Sequence, residues 1–140
     1  MRSPPPDDAR PPGKSWRALR FSTREAGARA ERAVAAHLAA AGLEILGVNV
    51  WVGRLEIDIL ARDGPVIAVV EVRTRGAGAW VRALDSVDAR KRERVRRAGE
   101  RLWRERFADD HQVDRMRFDV AGVELLPDGG ARIEVVKAAF

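Results

Sequence analysis

The stretch Arg54-Leu55-Glu56-Ile57-Asp58-Ile59-Leu60-Ala61-Arg62 is followed by the turn Asp63-Gly64-Pro65 and then by Val66-Ile67-Ala68-Val69-Val70-Glu71-Val72-Arg73-Thr74-Arg75. It reads as two β-strands joined by a tight connection. Side chains alternate along a strand, so Glu56 and Asp58 are expected on one face and Leu55, Ile57 and Ile59 on the other. In the second strand Glu71 and Arg73 fall on the side of Ile67 and Val69. That strand is apolar enough to be covered on both faces, where a carboxylate costs several kcal/mol unless a cation or a hydrogen-bond network compensates it. Pairing of the two strands can bring Asp58 and Glu71 onto one face, and a divalent cation between them would relieve their repulsion. Magnesium bound by carboxylates keeps waters that can attack a phosphodiester. The competing reading, in which Glu71 pairs with Arg73 or another arginine at a partly solvated strand end, stays open at this point.

Working outward, Leu43 to Trp51 gives a further strand before this pair, and Ser22 to Ala41 a helix whose Gly27, Ala30, Val34, Leu38 and Ala41 recur at helical spacing up to Gly42. A second helix is expected over about Ser86 to Phe107, with an inward stripe of Leu84, Val87, Val95, Ala98 and Leu102. Strands at about Arg115 to Glu124 and Ala131 to Lys137 close the chain. The order αβββαββ defines an α/β domain, and the crossover through the second helix can set a later strand parallel to one of the first three. Residues 1 to 20, rich in proline and charge, are expected to form a disordered tail outside the single domain of residues 21 to 140.

Two helical residues break their apolar stripes. Glu31 lies on the side of Val34, Ala35 and Leu38, so it points toward the buried side, within reach of the acidic pocket. Lys91 sits midway between Val87 and Val95, and its bland alternative is a lysine whose stem covers the core while its ammonium reaches water. Only Lys14, Lys91 and Lys137 among the 26 basic residues are lysines.

The formal charge of +5 and a pI near 10.8 favour an anionic partner. Arg75 at its strand end, and Arg90, Arg92, Arg96 and Arg97 on the second helix, are candidate contacts to backbone phosphates. The alternative is a solvated helix face neutralised by Glu93, Glu100 and Glu105. Trp51 and Trp80 are candidates for base stacking, with nothing in the sequence to fix their direction. The absence of cysteine, with only His37 and His111, leaves carboxylates as metal ligands, so magnesium or manganese is the expected cofactor. Without a signal-peptide pattern or a long apolar run, a cytoplasmic address and no membrane contact are expected.

From about Arg24 to Phe140 the chain resembles the YraN-like family of bacterial proteins, which is similar to a branch of the restriction-endonuclease-like, or PD-(D/E)XK, nuclease superfamily. The resemblance is carried by Glu31, Asn49, Glu56-Ile57-Asp58-Ile59-Leu60-Ala61, Val70-Glu71-Val72-Arg73-Thr74-Arg75, Lys91, Arg117-Phe118-Asp119-Val120 and Ala139-Phe140. It implies a restriction-endonuclease-like core with a mixed five-stranded sheet flanked by helices. Asp58 and Glu71 would be metal carboxylates and Glu31 an auxiliary acid, with Arg73 at the position where similar nucleases carry lysine. Arginine keeps the charge there but is planar and does not readily release a proton, so Lys91 is the candidate for the missing ammonium. Ala30 and Leu55 also depart from the family pattern, which has glycines before the two glutamates. The expected function is metal-dependent hydrolysis of phosphodiester bonds in DNA. A non-catalytic nucleic-acid-binding module and a protein-interaction module are the alternatives, and a homodimer is open.

Overall fold

The computed structural model describes residues 23–75 and 89–140. Helix α1 spans Thr23–Ala40, and the strands are β1 (Glu44–Val52), β2 (Leu55–Asp63), β3 (Val66–Arg75), β4 (Arg115–Leu125) and β5 (Ala131–Val136). Helix α2 (Ala89–Leu102) connects β3 to β4. The expected tail, Ser22, the Ser86 start of the second helix, Leu84, Val87, Trp80 and the Arg75 side chain lie outside the described residues. No described helix is long and apolar enough to cross a membrane.

The α/β order αβββαββ holds, as does the mixed five-stranded sheet flanked by helices. Strands lie in the order β1-β2-β3-β4-β5. Neighbours are antiparallel except β3 and β4, which run parallel over Val66↔Arg115 to Arg75↔Glu124. A parallel neighbour needs a crossover, and α2 supplies it. The apolar run of β3 is covered on both sides, as its composition implies. Ala68 and Val70 pack with Ala30, Val34 and Leu38 of α1, while Ile67 and Val69 pack with Val95, Ala98 and Leu102 of α2.

Helix α1 stops where Gly42 adopts φ 99°. The Leu43 N–H donates to the Leu38 carbonyl and the Gly42 N–H to that of Ala39, a Schellman closure that satisfies two terminal carbonyls. Helix α2 ends earlier than the single helix expected to reach Phe107. From Trp103 to Phe107 it widens into a π-helical turn, in which the Ala108 N–H donates to the Trp103 carbonyl at 2.8 Å. Trp103 and Phe107 both lean on the α2-side core, with ring centroids 6.3 Å apart, and the wider turn lets both do so.

The strict alternation expected along β2 fails at Asp58. Ile59 packs under α1, but Ile57 joins Leu60 in the cluster under α2, so Ile57 and Ile59 do not share a face. The β2–β3 ladder ends at Ile59↔Val70, one pair before Asp58 would face Glu71. Across the other edge, the pairs Val48↔Ile59 and Val50↔Ile57 set Asn49 opposite Asp58, with φ 55°. Beyond this point β1 and β2 continue as a two-stranded arm that turns its Val50, Val52, Leu55 and Ile57 side chains to α2. The arm closes at Gly53, whose φ of 63° suits a two-residue hairpin loop.

Helix α2 approaches the sheet through Gly99. A Cβ there would lie 2.7 Å from Phe118 Cε1 and 3.0 Å from Met116 Sδ. Gly99→Ala is therefore expected to destabilise the fold by about 1–3 kcal/mol despite alanine's higher helix propensity. Urea unfolding measures this, and a variant as stable as the parent would show that α2 can shift without loss.

Candidate functional site

The break in β2 exposes a backbone donor on β3, and Asp58 takes it up. The Val72 N–H donates to Asp58 Oδ2 at 2.9 Å, replacing the ladder bond that the splayed strands no longer make. This bond holds the Asp58 carboxylate near that of Glu71, where the two interact electrostatically.

Glu71 is 2% exposed. Its Oε2 lies 3.2 Å from Lys91 Nζ and 3.5 Å from Arg73 Nη2. Burial, and then the Asp58 carboxylate, push Glu71 up to about 7, outweighing the opposing pull of Lys91 and Arg73. Burial likewise raises Asp58, against the Val72 hydrogen bond and the same two cations. Both carboxyl groups thus hold protons more tightly than ordinary acids and stand to gain from added positive charge.

Of the residues marked out in the sequence, Asp58, Glu71, Arg73 and Lys91 come together. Lys91 continues the buried α2 stripe of Val95, Ala98 and Leu102, and its partly exposed side chain brings the ammonium to Glu71. Glu71 lies beside Asp58 and also pairs with Arg73, but it is buried, not at a partly solvated strand end. The Arg73 Nε is buried with no hydrogen-bond partner among the described residues. Glu31 stands one step away: Asn49 Nδ2 donates to Glu31 Oε1 at 3.1 Å, and Asn49 is the residue across from Asp58. Among the described residues no three His, Asp or Glu side chains gather closely enough to hold a metal ion, so Glu31 does not complete a three-carboxylate cluster.

The basic helix divides. Arg90, Arg92, Arg96 and Arg97 are all exposed. Arg97 pairs with Glu93 at 3.4 Å, one of the local pairs anticipated, and Arg101 with Glu105 at 2.9 Å. Arg96 lies over two rings, 5.7 Å from the centroid of Phe118 and 5.8 Å from that of Phe140. The Arg117-Phe118-Asp119 stretch lies away from the acidic pair and secures the chain end. Asp119, 1% exposed, accepts from Arg117 Nε at 2.9 Å and from the Ala138 N–H at 2.9 Å, while Arg117 also reaches Asp63.

Sequence reasoning had no means of finding the Val72 donor, which is backbone. It also passed over a groove of about 290 Å³ beside Lys91, walled by Arg54, Leu55, Glu56, Arg94 and Val95.

A mixed α/β sheet with a carboxylate pair at the splayed end of its central hairpin defines the class. The chain belongs to the family described as "Uncharacterised protein family UPF0102", whose model matches residues 30–123. It is 68% identical over 117 residues to a UPF0102 protein of Sorangium cellulosum, covering 84% of this chain and 81% of that one. A UPF0102 protein of Pseudomonas aeruginosa is 38% identical over 123 residues, 86% of this chain and 96% of its own. One from Symbiobacterium thermophilum is 36% identical over 118 residues, 84% and 98% of the respective chains.

Proposed function

We propose that this protein is a metal-dependent nuclease with a restriction-endonuclease-like core, hydrolysing phosphodiester bonds in DNA. The observation that carries the reading is the convergence of Asp58 and Glu71, both with raised proton affinity, beside Lys91. Two carboxylates held side by side at the cost of their own ionisation suit a hard divalent cation, and the donor set is all oxygen. The Arg73 Nε, buried without a partner among the described residues, is a donor that a phosphoryl oxygen would satisfy.

Magnesium or manganese held by Asp58 and Glu71 would supply a Lewis acid and a water of lowered pKa. The protein's own groups do the rest. Val72 holds Asp58 in place through its N–H, so the carboxylate needs no reorientation. Lys91 and Arg73 place two positive charges where charge develops on the phosphoryl oxygens. Arg73 acts by the charge and planar geometry of its guanidinium, whereas Lys91 brings a compact ammonium to Glu71. Glu31 and Asn49 brace the kinked backbone opposite Asp58.

Asp58→Asn separates chemistry from folding, because the amide oxygen still accepts from Val72 while the charge is gone. The variant is expected to weaken magnesium and manganese binding by about 100-fold or more in calorimetry and to abolish cleavage of branched, single-stranded and duplex DNA. Its stability should stay within about 1 kcal/mol of the parent. A parent that neither binds these ions nor cuts, or a variant indistinguishable from it, would sink the proposal. The second reading is a nucleic-acid-binding module without catalysis, favoured by Arg73 in place of lysine. It predicts salt-dependent DNA binding that Asp58→Asn leaves intact.

A further inference from the structure

The groove beside Lys91 is built unlike the rest of the basic surface. Arg54 comes from the tip of the β1–β2 arm and Arg94 from α2, so two elements converge on one space. Both arginines are exposed, and neither carries an ion pair among the described residues, in contrast to Arg97 and Arg101 one and two turns along the helix. Lys91 lines the same space and joins it to Glu71. Glu56 is the one acid in the wall, so cations outnumber carboxylates there three to one.

Trp51 lies on β1, across the arm from Glu56 of this wall. It is 62% exposed and is the cross-strand partner of Glu56, so the two side chains share a face of the arm. The groove's volume of about 290 Å³ is ample for a phosphate and its sugar. Trp51 is not part of its wall and offers a flat apolar face to a base of the same strand lying outside it.

We propose that this groove seats a backbone phosphate of a nucleic-acid strand between Arg54 and Arg94, with an unpaired base of that strand stacked on Trp51. The preferred ligand is then single-stranded or locally unpaired, since a base inside a duplex already has both faces stacked on its neighbours. This rests on the nucleic-acid-binding part of the reading above but not on hydrolysis. Lys91 at the groove's inner end leads the strand toward Asp58 and Glu71.

The test uses the full chain in a chelator, where no cutting occurs, with labelled dT oligonucleotides of about 12 nucleotides, the matching duplex, and thymidine monophosphate. Trp51→Ala is expected to weaken single-strand binding by about fivefold to 100-fold, the range of one base stacked on an aromatic side chain, and to leave duplex binding unchanged. Arg54→Glu with Arg94→Glu should weaken both and make the salt dependence shallower by about two phosphate contacts. All three side chains are exposed, and circular dichroism checks that the variants fold. Single-strand binding unchanged by Trp51→Ala, or by the double reversal, overturns the proposal. So does mononucleotide binding as tight as that of the oligonucleotide. If Trp51→Ala instead changes the sedimentation of the free protein and not its DNA affinity, Trp51 is a contact between copies and the proposal fails. Cleavage with manganese is scored separately. Trp51-dependent binding without cleavage overturns hydrolysis alone, whereas cleavage with Trp51-independent binding overturns the groove alone.

Discussion

Between about pH 5 and about pH 8 the metal-free protein is expected to lose roughly 3 kcal/mol of folding stability, and Glu71→Gln is expected to abolish most of that loss. Glu71 moves from an ordinary value of 4.5 to about 7 on folding because burial, and then Asp58, disfavour its charge. A carboxyl group whose pKa is higher in the folded state binds more protons there than in the unfolded chain. Stability must therefore fall as pH rises, the contribution being complete below about 4.5 and gone above about 7. The raised Asp58 adds a slope of the same sign. Glutamine cannot ionise, so the variant should be the more stable protein above neutrality and match the parent near pH 5.

A divalent cation should reverse the effect. At about 100 times its dissociation constant it adds about 2.7 kcal/mol, and its binding near pH 6 releases protons, visible as a buffer-dependent calorimetric enthalpy. Thermal melts across this pH range with and without manganese measure the stability changes, and titration calorimetry in buffers of different ionisation enthalpy measures the proton release. Parallel pH profiles for parent and Glu71→Gln would show that Glu71 does not carry the strain assigned to it, and the site would lose its main electrostatic argument.

Asp119→Ala is expected to cost about 3–5 kcal/mol, the penalty for removing one member of a buried ion pair. The substitution strands two donors. Arg117, 13% exposed, keeps only its longer contact to Asp63, and the Ala138 N–H loses its acceptor. The chain end then loosens. The Ala139 N–H bond to the Phe118 carbonyl and the Phe118–Phe140 ring contact at 5.5 Å both depend on Ala138 being held. Asp119→Asn retains an acceptor and should cost less than half as much, giving an ordered series in urea unfolding. Because Asp119 lies apart from the acidic pair, metal affinity of the folded fraction should not change. A loss below about 1 kcal/mol, or a metal affinity that falls with it, would contradict a purely structural role.

What the sequence disclosed by itself follows from local rules. Helical spacing of Ala30, Val34 and Leu38, the glycine stop at Gly42 and the two-sided apolar run of β3 are set by residues within a few positions of one another. A charge within such a run or stripe stands out, which singled out Glu71 and Lys91, whereas alternation set Asp58 on a polar face and the family resemblance joined Lys91 to the pair. Alternation failed at Ile57, because period-two reading assumes an unbroken ladder and the ladder stops at Ile59. The widening of α2 at Trp103 was equally invisible, being a response to the core beneath it.

Tertiary structure alone decided which partners those charges found. The Val72 N–H became available to Asp58 only because β2 parts from β3, and Asn49 met Glu31 only because β1 kinks opposite that gap. The arm that parts there brings Arg54 to Arg94 and leaves Trp51 facing solvent beside them. Side-chain type and spacing fix what each residue can do, whereas distance between segments far apart in the chain is set by how the sheet bends, and nothing local encodes it.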